Sequence, residues 1–189
     1  LWLSFCEYSL DRVDSYNNYI SKLIDKNKKL NRYQNYIYNQ ILAKVSIDKK
    51  NTEDVYKYLN LCLKYSSSDS QKINIYNQFI NYSENINDYN TLVDNLEKLY
   101  DILEDDRDKK NVKLTALEFH KINKNYSYLI TEIERLLNLS SFNDKRLFLN
   151  LELGKIYYQM NDYSSAKQIF YNITSDNSKK KETAEAFYL

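Results

Sequence analysis

The sequence predicts an all-α protein, a stack of antiparallel helix pairs recurring about every 36 to 37 residues. Three observations carry that expectation. The chain of 189 residues has no proline and one glycine, so it lacks the residues that preset tight turns or adopt positive φ without strain. Apolar positions recur in columns at one long period. Asparagine-rich turns recur at a single phase of the same period, and polar links lie half a period away.

In chain order, the first pair occupies roughly 1–33 and is marked by Tyr16, Tyr19 and Leu23, one residue out of register with the later units. The next four units run near 34–68, 69–106, 107–142 and 143–178, and another begins over 179–189. Their first helices share the column Leu42, Phe79, Ala116 and Leu153. Their second helices open at Thr52, Tyr89, Tyr126 and Tyr163. Three apolar columns come after these: Val55, Leu92, Leu129 and Ala166; Leu59, Leu96, Ile133 and Phe170; Cys62, Leu99, Leu136 and Ile173. Steps of three and four residues put each helix's members on one face, the pattern of a helix with a single buried stripe. A lone helix pair cannot cover such a stripe, so neighbouring pairs must share a core.

Asn51-Thr52-Glu53-Asp54, Asn87-Asp88, Asn123-Lys124-Asn125 and Asn161-Asp162 supply cap side chains at the turns. Ser66–Ser70, Asp105–Lys110, Ser140–Asp144 and Ser175–Lys180 are read as solvated links between pairs rather than domain boundaries. The 189 residues form one repeat array. Because it opens on Leu1, it is taken as a piece of a longer chain, and the apolar Ala186, Phe187 and Tyr188 at its end are expected to self-associate or to continue into a further unit.

The stretch Leu153-Gly154-Lys155-Ile156-Tyr157, followed by Asn161, Tyr163, Ala166 and Phe170, resembles the tetratricopeptide (TPR) repeat in its order of Leu-Gly, Tyr, turn residue, Tyr, Ala and aromatic. Asn161 stands where the family's turn glycine would be, and asparagine tolerates the left-handed conformation. The resemblance is to bacterial members. It implies a right-handed α-solenoid of about five helix pairs whose first helices line a concave, ligand-binding groove. By that phase the groove residues are Asn74, Asn77, Asn81, Glu84 and Asn85, then Glu118, Lys121, Lys155, Tyr158 and Gln159, with Gln40 and Lys44 in the neighbouring unit. Asparagine is a weak helix former, so four on one face run against propensity. An amide both donates and accepts, which suits a peptide backbone.

Little else carries chemistry. Lys and Arg number 27 against 26 Asp and Glu, a net charge of +1, which disfavours nucleic acid as a partner. Twenty tyrosines suit a thin core, with rings inside and hydroxyls in water. His120 is the sole histidine, flanked by Phe119, and is read as a packing residue between helices. The pairs Glu132 with Glu134 and Glu182 with Glu185 are read as solvated helix surface. Cys6 and Cys62 match no metal spacing, and no apolar run spans a membrane.

The expected function is a non-catalytic scaffold or adaptor binding a protein or peptide, with no cofactor, in the cytoplasm or cell envelope. A peptide-sensing regulatory module is the alternative, and a nucleic-acid-binding repeat a more distant one.

Overall fold

The computed structural model describes residues 30–175 and 185–186. The expectations for Cys6, Tyr16, Tyr19, Leu23, Glu182, and Phe187 to Leu189 fall outside them. Among the described residues the fold is all-helical, with no strand. We number the helices α1 (Arg32–Asp48), α2 (Thr52–Tyr65), α3 (Asp69–Asn85), α4 (Tyr89–Ile102), α5 (Asp106–Ile122), α6 (Tyr126–Leu137), α7 (Arg146–Gln159) and α8 (Tyr163–Ser175), with a 3-10 turn over Ser140–Lys145 before α7. Two compact units divide at Ile102 and Leu103, so α1 to α4 belong to one and α5 to α8 to the other. Within each unit, helices adjacent in sequence pack together.

Helix starts are set by the polar residues before them. Asn31 and Gln34 form a reciprocal capping box at α1, with N–H to side-chain distances of 2.9 and 3.0 Å. The side chains of Asn51, Ser68, Asp88, Asp105 and Asp162 each accept from the first turn of the following helix. Asn125 occupies the same place before α6 without a side-chain cap bond.

The ends of the first helices repeat more strictly than the sequence promised. Lys50, Asn87, Lys124 and Asn161, each 37 residues after the last, have positive φ between 54° and 64°. After each, the next amide reaches back to a carbonyl in the helix's last turn: Asn51 to Ser46 at 2.9 Å, Asp88 to Ser83 at 2.8 Å, Asn125 to His120 at 3.0 Å and Asp162 to Tyr157 at 2.9 Å. This is the Schellman closure, which satisfies carbonyls that a helix end would otherwise leave open. The left-handed conformation expected of Asn161 is present, with φ of 64°.

All three second-helix columns are buried in all four units: Val55, Leu92, Leu129, Ala166; Leu59, Leu96, Ile133, Phe170; Cys62, Leu99, Leu136, Ile173. In the first-helix column, Phe79, Ala116 and Leu153 are buried and Leu42 is half-buried. The first unit's core joins Tyr36, Ala43, Val55, Leu59, Ile75 and Phe79. The second unit's core is built around Leu129, Ile133, Leu136, Leu149 and Ile156, with Ala166, Phe170 and Ile173 beside it.

Two expected links are shorter than the sequence suggested. Asp106 to Lys110 belong to the first turns of α5, capped by Asp105. The positive end of the helix dipole accommodates the carboxylates of Asp106 and Asp108. Asp69 and Ser70 similarly fall inside α3, and Ser140–Asp144 coil into the 3-10 turn.

Candidate ligand-binding surface

In the first unit, α3 buries Ile75, Phe79, Tyr82 and Ser83 and turns Asn74, Asn77, Asn81, Glu84 and Asn85 to solvent. The buried stripe fixes the rotation of the helix, so the polar face is held in place by the core. Asn74 is engaged locally: its Oδ1 accepts from Gln78 Nε2 at 2.6 Å and from Gln40 Nε2 of α1 at 3.5 Å. Gln40 also donates to the Tyr36 hydroxyl at 3.1 Å. Lys44 is exposed on α1.

Asn77, Asn81 and Asn85 differ from the asparagines that bond back to their own helices. Asn35, Asn39, Asn60, Asn95 and Asn138 each donate to the carbonyl four residues earlier, at 2.7 to 3.0 Å. That back-bonding is the usual outlet for a short polar side chain in a helix. Asn77, Asn81 and Asn85 make no such bond among the described residues, and their amides are exposed. Three amides four residues apart thus form one outward stripe.

The second unit is built on charge. Lys121 of α5 lies 3.6 Å from Glu118 and 2.7 Å from Glu152 of α7. Lys155 meets Glu152 at 2.9 Å and also pairs with Glu185. Acid and base therefore alternate from Glu118 through Glu185, and Lys121 and Lys155 are committed to partners within the fold. Glu152 is the centre of this ladder, and sequence reasoning missed it. Burial pushes its carboxyl up, but hydrogen bonds from both lysines and their charges outweigh this and hold it below the usual glutamate value. Lys121 and Lys155 are shifted upward: burial opposes their charge, and their carboxylate partners more than restore it. The i, i+3 spacing of Glu152 and Lys155 was the available signal.

Tyr158 is 48% exposed and meets Tyr163 edge to face at 5.4 Å, and Gln159 is exposed. Tyr158 also lines an open, mainly apolar pocket of about 430 Å³ with Tyr163, Lys167, Phe170, Tyr171 and Ala186. No sequence pattern pointed to it, because its walls come from separate turns of α7 and α8 and from the helical residue Ala186.

The reading of Glu132 as solvated surface is wrong. Glu132 is 8% exposed and lies 3.1 Å from Lys113, itself 5% exposed, while Arg135 holds both its oxygens at 2.7 and 2.9 Å. Here too burial raises the carboxyl, and the hydrogen bonds and charges of Arg135 and Lys113 bring it below its ordinary value. The rotation of α6 that buries Leu129, Ile133 and Leu136 carries Glu132 inward with them. Glu134 is exposed, and Glu185 is drawn into the ladder.

His120 packs its ring on Tyr128 with centroids 4.0 Å apart, a contact between α5 and α6. Cys62 is wholly buried, and burial pushes its thiol up to about 12, so it stays protonated and poorly nucleophilic. Among the described residues no group of His, Cys, Asp and Glu is placed to hold a metal ion, and no helix is long and apolar enough to cross a membrane. Compared with known proteins, the chain matches no family model, no curated protein and no solved structure.

Proposed function

We propose that the protein is a non-catalytic scaffold of tetratricopeptide-like helix pairs, arranged as a right-handed α-solenoid, that binds a protein or peptide through the exposed polar face of its first helices. The single observation that supports this most is the outward stripe of Asn77, Asn81 and Asn85, whose amides are not bonded back to their helix among the described residues. The 37-residue recurrence of identical turns supports the repeat architecture. A preformed helix surface loses little ordering entropy on binding, so even modest hydrogen bonds contribute to affinity.

The unit built on α5 to α8 contributes differently. Its ion ladder satisfies Lys121 and Lys155 internally, leaving Tyr158 and Gln159 as the exposed contact residues on α7. On α7 the exposed candidate contacts are therefore an aromatic ring and an amide rather than net charge.

The experiment is selection of a displayed random-peptide library on the wild-type chain and on an Asn77→Ala plus Asn81→Ala variant. Both positions are exposed, so the variant retains the fold. Peptides enriched by the wild type should lose binding to the variant. Equal enrichment on both proteins would remove α3 as the binding face.

A further inference from the structure

Independently of the α3 face, we propose that the pocket between α7 and α8 binds a small aromatic carboxylic acid, with its ring among Tyr158, Phe170 and Tyr171 and its carboxylate on Lys167.

The pocket is an altered copy of a space that is closed one helix pair earlier. Between α5, α6 and α7, the side chains of Lys121, Leu129, Ile133 and Leu149 surround a gap of only about 10 Å³. The residues 37 positions on are Tyr158, Ala166, Phe170 and Ala186, and they line about 430 Å³. Two leucines are replaced by alanines, both buried, so the deep walls are drawn back. Phenylalanine in place of isoleucine and tyrosine in place of lysine give the enlarged space aromatic sides, which Tyr163 and Tyr171 of α8 complete. A cavity of this volume is in the range that holds small organic ligands.

The lining selects the ligand. Aromatic rings attract a further ring edge to face or offset, as Tyr158 and Tyr163 already do at 5.4 Å. Charge selects the polar end. Lys167 stands where Ile130 packs against the core one pair earlier, so a cation takes the place of an apolar side chain in the lining. It forms no ion pair among the described residues, in contrast to Lys121 and Lys155. A ring of aromatic side chains would otherwise suit a cation, and Lys167 repels one. Two neutral polar groups of the lining are already engaged. The Tyr163 hydroxyl donates to Asn161 Oδ1 at 2.8 Å, and Thr174 Oγ1 donates to the Tyr171 carbonyl at 3.0 Å. The Lys167 ammonium is left to meet an anion.

The test uses the full chain, labelled with nitrogen-15, and four probes: 3-phenylpropionate, 3-phenylpropionamide, 3-phenylpropylamine and 3-cyclohexylpropionate. Backbone signals of Ala166, Phe170 and Ala186 are followed by NMR up to about 10 mM probe, since a ligand of this size in an open site binds with a Kd of about 1 mM. The phenyl acid should bind about three-fold more tightly than its amide, the gain of one exposed ion pair, and more tightly than the amine or the cyclohexyl acid. Lys167→Met alters an exposed residue and should make acid and amide equal. Ala186→Leu restores the residue found at Leu149 and should abolish binding, with circular dichroism unchanged.

Amide or amine binding as tightly as the phenyl acid would overturn the anionic class of ligand. Equal binding of the cyclohexyl acid would overturn the aromatic one. Undiminished binding to a folded Ala186→Leu variant would place the ligand elsewhere, and no movement of the three signals up to about 10 mM would overturn the site itself.

Discussion

Gly154 is the chain's single glycine, and it lies inside α7, where a glycine normally weakens a helix. Replacing it with alanine tests how closely α7 and α8 approach. Helix propensity alone predicts that Gly154→Ala stabilises by about 0.8–1.0 kcal/mol. The structure predicts the opposite sign. An added Cβ would overlap Cε1 of Phe170 and sit 2.9 Å from its Cδ1 and 3.0 Å from its Cζ. Carbon atoms rest at about 3.5–4.0 Å, so the ring must retreat by more than about 1 Å. Phe170 is 7% exposed and packs with Ala166 and Ile173, so the ring can retreat only toward the open pocket that it lines, at the expense of that packing.

Overpacking of this kind costs about 1–3 kcal/mol, so the propensity gain offsets only part of it and a net loss of about 1 kcal/mol is expected. That is a drop of about 2–4 °C in Tm for a chain of this size. Urea denaturation followed by circular dichroism measures it, on Gly154→Ala, Phe170→Leu and the double variant. Leucine removes the ring edge that meets the new methyl, so the alanine should cost less in the Phe170→Leu background than in the wild type, with a coupling of about 1 kcal/mol. A Gly154→Ala variant that is more stable than wild type, with no coupling to Phe170, would refute the close approach.

Other consequences are tested more briefly. Glu132→Leu removes the acceptor shared by Lys113 and Arg135 and should destabilise by about 3–5 kcal/mol, whereas Lys113→Met leaves the Arg135 pair intact and should cost less; chemical denaturation of both variants checks the order. Glu132 and Glu152 titrate below the ordinary glutamate value of 4.5 in the fold, so the stability they contribute is complete above that value and disappears as pH falls through the lower folded values. The urea midpoint, followed from about pH 7 to pH 2, should fall on the acid side, and the fall should be shallower in Glu152→Gln. Lys50→Gly and Lys124→Gly each relieve a side chain held at positive φ, 54° and 55°, and should each stabilise by about 0.5 kcal/mol after the added freedom of the unfolded chain is deducted; thermal melts of the single and double variants should show additive gains.

The helix pairs were legible because the second helices bury complete columns. Where every occupant of a column is enclosed, as with Leu59, Leu96, Ile133 and Phe170, the sequence must keep it apolar and the period stands out. The first helices were harder: Leu42 is half-buried where Phe79 is enclosed, so their column is less constrained. Turn asparagines marked the left-handed positions at Asn87 and Asn161, but lysines fill the same role at Lys50 and Lys124, where composition gives no hint. The exposure of Asn77, Asn81 and Asn85 could be read from helical phase alone. The ion pairs could not, because Lys113 with Glu132 and Lys121 with Glu152 join different helices, and pairing depends on how each helix is rotated about its axis. Local spacing is silent on that.

The recurring left-handed residue has a bearing on how such a chain can change length. At Asn87 and at Lys124 the backbone leaves its helix by the same dihedral and the same two hydrogen bonds. Excising or duplicating the stretch between them would join Asn87 to Asn125, or Lys124 to Asp88, through a junction with the native local backbone on both sides. Recombination at these points would add or delete a module of 37 residues without requiring a new connection to evolve.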